Sequence, residues 1–314
     1  MSKYRNALPQ LNGSLFLTDG GLETTLVFHH GLDLPHFASF PLMEEAEGLS
    51  RLRTYYEEYI AIAKAAGAGF ILESVSWRAN LDWGQKLGYK PATLAEANRQ
   101  SIAMMEALRD EHETETSRMV ISGNIGPRGD GYVVGKSMSA NESADYHGFQ
   151  VDVFAATAAD MVSAFTMNYA DEATGVVLAA KRAAIPVVIS FTVETDGHLP
   201  SGQPLPEAIA QVDAASDGYA AYFMINCAHP THFEDSLPGD AEWAQRLRGL
   251  RANSSCKSHA ELDESNELDE GNPSELGQQY AALLKRHPHI NILGGCCGTD
   301  HRHIAAIAQA CRRT

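Results

Sequence analysis

The sequence predicts a single (β/α)8 TIM barrel spanning residues 1–314, and three observations point to it. Eight short apolar runs recur along the chain, helical patterns separate them, and polar residues collect where the runs end. The runs are 14–21, 68–75, 118–126, 159–166, 185–193, 220–227, 246–255 and 289–297. Most are too short for helices and too apolar for a sheet with one wet face, as expected of parallel strands covered on both sides. A doubly wound open sheet is the alternative, but no GxGxxG follows the first run to support a dinucleotide site.

The helical segments follow in order. LSRLRTYYEEYIAIAKAAG ends at Gly67, where glycine suits a helix terminus. TLAEANRQSIAMMEALRDEHE opens at Thr93, read as its N-cap. DEATGVVLAAKRAA, PEAIAQVDAA and PSELGQQYAALLKRH fill the later gaps. The stretch SHAELDESNELDEGNPSE, 258–275, is acidic and polar and reads as a solvated loop with a short helix.

A hydrophobic content of 44% supports a sizeable core, and a net charge of -16 disfavours nucleic acid or an anionic membrane as partner. No run is long and apolar enough to span a bilayer, and the first residues lack a signal-peptide pattern. A cytoplasmic location follows as an expectation, with the five cysteines reduced and available as ligands or nucleophiles.

In a TIM barrel the chemistry gathers at the carboxyl ends of the strands. Asp19, Glu73, Asn124, Glu194, Cys227, Asn253, Cys296 and Cys297 fall there. Adjacent side chains of a strand point to opposite faces, so Cys296 and Cys297 converge only if the backbone turns; Gly294, Gly295 and Gly298 allow that turn. Three cysteines on one rim suit zinc, which prefers sulfur and nitrogen ligands, with a fourth position left open. His229 or His232, just after Cys227, would close that position, and His301 and His303 follow the pair. The competing reading is that a buried cysteine is only a small hydrophobe. It is weaker for cysteines embedded in GGCCG, which packing does not require.

INCAHP at the end of the sixth run and GGCCGT at the end of the eighth resemble the zinc-dependent homocysteine S-methyltransferase family. LTDGGLETTL resembles its DGG opening, and GNIGPRGD its GxxGP loop. The resemblance implies that Cys227, Cys296 and Cys297 hold Zn2+ and that the acceptor thiol, homocysteine, takes the fourth position as a thiolate. Zinc removes the proton of a thiol whose ordinary pKa is about 8.5, so no protein base is assigned. The partners are then a small-molecule thiol and an activated methyl donor: a sulfonium, ammonium or tertiary amine. The resemblance also places the substrate carboxylate near the DGG and GGCCG loops, at Gly20, Gly21 and Gly295, where a glycine turn can form an anion nest. Asp19 is either the partner of the substrate ammonium or a turn residue. Trp77 or Trp83 can stack on a cationic donor or simply pack.

The chain departs from the family in one place. Members often carry a glutamate at the end of the fourth strand, where it helps bind the substrate amine; alignment on DEA puts Phe165 there. Glu73 or Glu194 can replace it from a neighbouring strand, and Glu194, ending SFTVE on the next strand round, is the preferred candidate. Two further readings remain open: a non-catalytic zinc barrel that binds or senses a small thiol, and a methyltransferase for another thiol or a selenol.

Overall fold

Each apolar run of the sequence forms one strand in the computed structural model, which describes residues 2–238, 241–265 and 267–312. In order they are β1 (Phe16–Leu17), β2 (Gly69–Glu73), β3 (Met119–Ile125), β4 (Met161–Met167), β5 (Val187–Phe191), β6 (Tyr222–Asn226), β7 (Leu247–Ala252) and β8 (Ile292–Gly295). Every neighbouring pair is parallel, and β1 pairs with both β2 and β8, closing the barrel. The doubly wound alternative is excluded by that closure.

The covering helices are α1 (Ala46–Ala66), α2 (Pro91–His112), α3 (Ala140–Ala155), α4 (Ala170–Arg182), α5 (Leu205–Ser216), α6 (Pro273–Arg286) and α7 (His301–Ala310). α1 ends as expected, with Gly67 in the left-handed conformation. α2 begins two residues before Thr93. Pro91 takes the first turn, where its missing N–H costs nothing, and the Thr93 hydroxyl accepts from the Lys90 N–H at 3.1 Å. The α3 segment carries a capping box between Ser139 and Glu142 that was not singled out in the sequence. Between β6 and β7 the described residues form only short turns, Pro230–Phe233, Glu234–Ser236 and Glu242–Arg246, so this side of the barrel has no long helix.

Two apolar shells hold the fold together. Outward-facing strand residues pack under the helices, while Phe16, Ile71, Val120, Met161, Val188, Tyr222, Met224 and Ile292 fill the barrel itself. At the amino ends of the strands the N-terminal segment seals the bottom through Asp160. Its Oδ1 accepts from the N–H groups of Lys3 (2.8 Å) and Tyr4 (2.7 Å), and its Oδ2 from Ile121 N–H and Arg109 Nη1 (each 2.9 Å). Asp160 and Arg109 are both buried. Removing one member of such a pair leaves a buried charge without its counterion. Asp160→Ala is therefore expected to cost about 3–5 kcal/mol of stability, read as a lowered urea midpoint; a shift within experimental error would refute this account of the barrel floor.

Candidate functional site

The two cysteine segments meet because their backbones are held by neighbouring strands. β6 ends at Asn226, and Cys227 follows with φ 53, the left-handed region where a Cβ is strained. The Cys227 N–H donates to the Arg251 carbonyl at 3.1 Å, and that of Cys296 to the Ala252 carbonyl at 2.8 Å, so β7 sets the position of both. After Cys297 the chain turns at Gly298, whose φ of +78 favours glycine, and its N–H donates to the Thr24 hydroxyl at 3.2 Å. The expected turn thus rests on Gly298. Gly294 and Gly295 belong to β8, and a Cβ on either would collide with Thr18 or Thr299. A Cβ on Gly21 would collide with Thr24 and the Cys296 carbonyl, so that glycine allows the DGG loop to lie against the cysteine turn.

The ligand atoms of Cys227, Cys296 and Cys297 lie within 4.8 Å of one another. Cys227 and Cys296 are joined as a disulfide, and Cys297 is a free thiol. The expectation that all five cysteines are reduced is therefore corrected for one pair. It is strand-to-strand proximity across the barrel mouth that joins them, not adjacency in the chain. The Asn226 amide reaches the Cys296 sulfur at 3.9 Å, and the Tyr132 hydroxyl lies 3.5 Å from that of Cys297. Desolvation raises the Cys297 thiol above its ordinary pKa, with Tyr132 opposing. A soft three-sulfur donor set fits a zinc ion with an open position. The histidines do not join it. His229 caps the Pro230–Phe233 turn, His232 contacts the Cys256 carbonyl, His301 faces Glu58, and His303 lies between Asp300 and the Glu270 carbonyl.

The three cysteines line a cavity of about 480 Å³ at the carboxyl ends of the strands. Its floor is polar. Arg251 on β7 pairs with Asp19 Oδ1 at 2.8 Å and donates to the carbonyls of Gly295 (3.0 Å) and Gly20 (3.1 Å). Tyr55 of α1 donates to Asp19 Oδ2 at 3.0 Å. Burial nevertheless raises the Asp19 carboxyl above its usual range. The Phe165 ring lies 4.9 Å from the Arg251 guanidinium. Glu73, 2% exposed, ends β2 beside Arg251, and burial pushes its pKa up to about 7.

Asp19, Gly20 and Gly21 line this cavity as expected. Gly295 and Glu194 are not among its lining residues. Gly295 acts through its carbonyl, which holds Arg251, and Glu194 is turned aside to His259, 3.2 Å away. Trp77 lines the cavity while Trp83 does not, and both rings stack on Arg78 at 4.1 Å. The acidic stretch does contain a short helix, His259–Asp263, but it is no plain solvated loop. His259, Leu262, Asp263, Ser265, Glu267, Leu268 and Asp269 line the cavity, with the His259 ring on Tyr132 and its Nε2 against the Cys227 carbonyl. Arg251, Tyr132 and His259 were missed in the sequence. For Arg251 the signal was present, because it lies two residues before Asn253 and so shares its face of β7.

A model of the homocysteine S-methyltransferase family matches residues 16–311, from β1 through the cysteine turn to the last helix. The chain belongs to that family. Homocysteine S-methyltransferase 4 of Zea mays is 25% identical over 320 residues, covering 96% of this chain and 90% of that protein. Homocysteine S-methyltransferase 1 of Arabidopsis thaliana is 23% identical, with 96% and 94% covered. Among solved structures, the homocysteine methyltransferase MmuM from Escherichia coli has the same fold. Its oxidized form gives a TM-score of 0.72 at 20% identity, covering 98% of this chain and 99% of that one. Its metallated form gives 0.69 at 20% identity, with 97% and 98% covered. Among the described residues no helix is long and apolar enough to cross a membrane.

The raised carboxyl of Glu73 makes a prediction for this family member. Its folded pKa of about 7 lies above the ordinary 4.5, so folding favours the protonated form. That stabilisation is fully present below the unfolded value and is lost as pH rises through 7, a difference of roughly 3 kcal/mol at most. Glu73→Gln should remove this part of the pH dependence and melt above the wild type at pH 8. Parallel melting curves of the two proteins from pH 4.5 to 8 would contradict it.

Proposed function

We propose that this protein is a zinc-dependent S-methyltransferase that moves a methyl group from an onium or other activated donor to an acceptor thiol, homocysteine giving methionine. The observation that carries the reading is the convergence of three sulfurs, from two strand ends, on one cavity at the carboxyl face of the barrel. Cys227, Cys296 and Cys297 would hold the zinc once the Cys227–Cys296 disulfide is reduced. Zinc held by three thiolates supplies a Lewis acid that keeps an acceptor sulfur deprotonated and electron-rich at neutral pH.

The remaining work falls to the chain's own residues. Asn226 and Tyr132 direct hydrogen-bond donors at the ligand sulfurs and so fix their orientation. The backbone of Gly20 and Gly21 lies at the cavity wall, within reach of an amino-acid carboxylate. His259, Leu262, Asp263 and Leu268 add to the cavity wall and limit water, which favours attack over hydrolysis. Acidic side chains outnumber basic ones in the lining. Its two guanidiniums, Arg78 and Arg251, are occupied by tryptophans and by Asp19, so the field favours a cationic donor. In the transfer the acceptor S–H loses its proton to solvent and a new S–CH3 bond forms. The donor's bond to methyl breaks, and the donor leaves neutralised with the electron pair. Reacting atoms held about 3–3.5 Å apart in line suffice, and no protein base is required. A cytoplasmic location agrees with a site that needs reduced thiols.

Reduced protein is expected to bind about one zinc per chain, and unreduced protein far less, because the disulfide removes two of the three ligands. The Cys296→Ala, Cys297→Ala double variant should lose the metal and keep its fold. Full zinc occupancy in that variant by metal analysis would sink the metal assignment. Zinc-loaded protein given homocysteine with S-methylmethionine, S-adenosylmethionine or betaine should form methionine from one of them. Thiol binding without turnover on any donor would favour a sensing barrel instead.

A further inference from the structure

An amino-acid thiol brings an ammonium into the cavity, and the carboxylates expected to receive it are engaged or absent. Position 165 is a phenylalanine packed on Arg251. Asp19 is held by Arg251 and Tyr55. Glu194 faces His259 outside the lining. Glu73 differs from all three. It ends β2 in register with Ser122 of β3, lines the same cavity and is 2% exposed, yet its Oε2 has no hydrogen-bond partner. The amide oxygens of Asn124 and Asn253, also in the lining, are likewise enclosed and unpartnered. Among the described lining residues four acceptors, the ion-paired Asp19 Oδ1 included, and one donor, Arg78 Nε, have no hydrogen-bond partner; buried polar atoms are nearly always satisfied, so this excess of acceptors marks a place for a donor-rich ligand group. An ammonium carries three donors and no acceptor.

We propose that Glu73 receives the acceptor's ammonium, with Asn124 and Asn253 offering further acceptors in the same cavity, and so determines that the acceptor is an amino-acid thiol. This rests on the acceptor reading of the site given above. The Asp19–Arg251 pair then has a supporting part. It cancels most of its own charge and leaves Glu73 as the carboxylate free to pair with a cation. Phe165 covers the guanidinium, which keeps Arg251 on Asp19.

The test uses reduced, zinc-loaded protein and two thiols: homocysteine and 4-sulfanylbutanoate, which has the same chain without the amino group. Calorimetry should show homocysteine binding more tightly to the wild type. Glu73→Gln is expected to weaken homocysteine roughly 30-fold or more, to change 4-sulfanylbutanoate by less than about threefold, and to leave zinc content intact and the fold no less stable than the wild type. Glu73→Asp, which keeps the charge, should recover part of the loss. Glu194→Gln should leave the ratio of the two affinities as in the wild type. Equal weakening of both thiols by Glu73→Gln, no weakening of either, or a changed ratio in Glu194→Gln instead would overturn the assignment and leave the zinc site standing. Wild-type protein that binds neither thiol would overturn the acceptor reading, and this inference with it.

Discussion

One buried guanidinium organises the mouth of this barrel. Arg251 projects from β7 and reaches the Gly20 carbonyl after β1, the Gly295 carbonyl at the end of β8, the Asp19 carboxylate and the ring of Phe165 on β4. A fixed planar fork can satisfy several acceptors at once, which a lysine ammonium in the same place would do poorly. Its backbone carbonyl also accepts from Cys227, and the residue after it accepts from Cys296. Side chain and backbone of one strand end thus set the glycine loop, the cysteine turn and Cys227 together. The glycines make the approach possible. With a Cβ at Gly21 the DGG loop would strike the Cys296 carbonyl, and the distance between that loop and the sulfur cluster would grow.

The barrel was legible because its strands are buried on both faces and so read as apolar runs of strand length. All eight runs became strands, and the cysteines at two of their ends came together. Thr93 misled as a helix start because a hydroxyl at the third position and one at the cap carry the same local signal, and Pro91 settles which it is. The polar floor was harder to see. Arg251 sits in RLRGLRANSS among other arginines, which bond Asp213 and Asn291 instead, and only counting back by two from Asn253 singles it out. His259 was hidden for a different reason. Acidic, polar composition describes the outer face of a covering loop, and nothing local reports that its other face closes over a cavity. The orientations of Glu194 and Glu73 were hidden for the same kind of reason. Sequence places both at strand ends, but which carboxylate turns inward is decided by His259, a partner 65 residues away in the chain.

The disulfide between Cys227 and Cys296 and a three-thiolate metal site are two uses of one geometry. Sulfurs close enough to share a small ion are close enough to bond each other when oxidised, so a site of this kind requires a reducing surrounding. Cys227 reaches that position at the expense of a left-handed backbone. Strained non-glycine residues persist where the surroundings over-determine them, and here the hydrogen bond from Cys227 to Arg251 and the contact of His259 with the Cys227 carbonyl do so.

The floor of the cavity carries the same tension in its charges. Asp19, Glu23 and Glu73 all lie at the cavity with carboxyl groups raised by desolvation, and Arg251 pairs closely with only the first. A chain selected for stability alone would place apolar or amide side chains at such positions, since a buried ionisable group favours its neutral form and weakens the fold as it ionises. An incoming cation changes the balance. An ammonium beside Glu73 would stabilise the ionised carboxylate that burial disfavours, and the open oxygens of Asn124 and Asn253 would gain donors they lack. The polar groups that find no protein partner in the cavity are thus those with most to gain from a cationic ligand. The same physical reasoning explains why Phe165 is tolerated on β4. With Glu73 already at the floor, a second carboxylate there would add repulsion, while an aromatic face over Arg251 holds the guanidinium where the glycine loops need it.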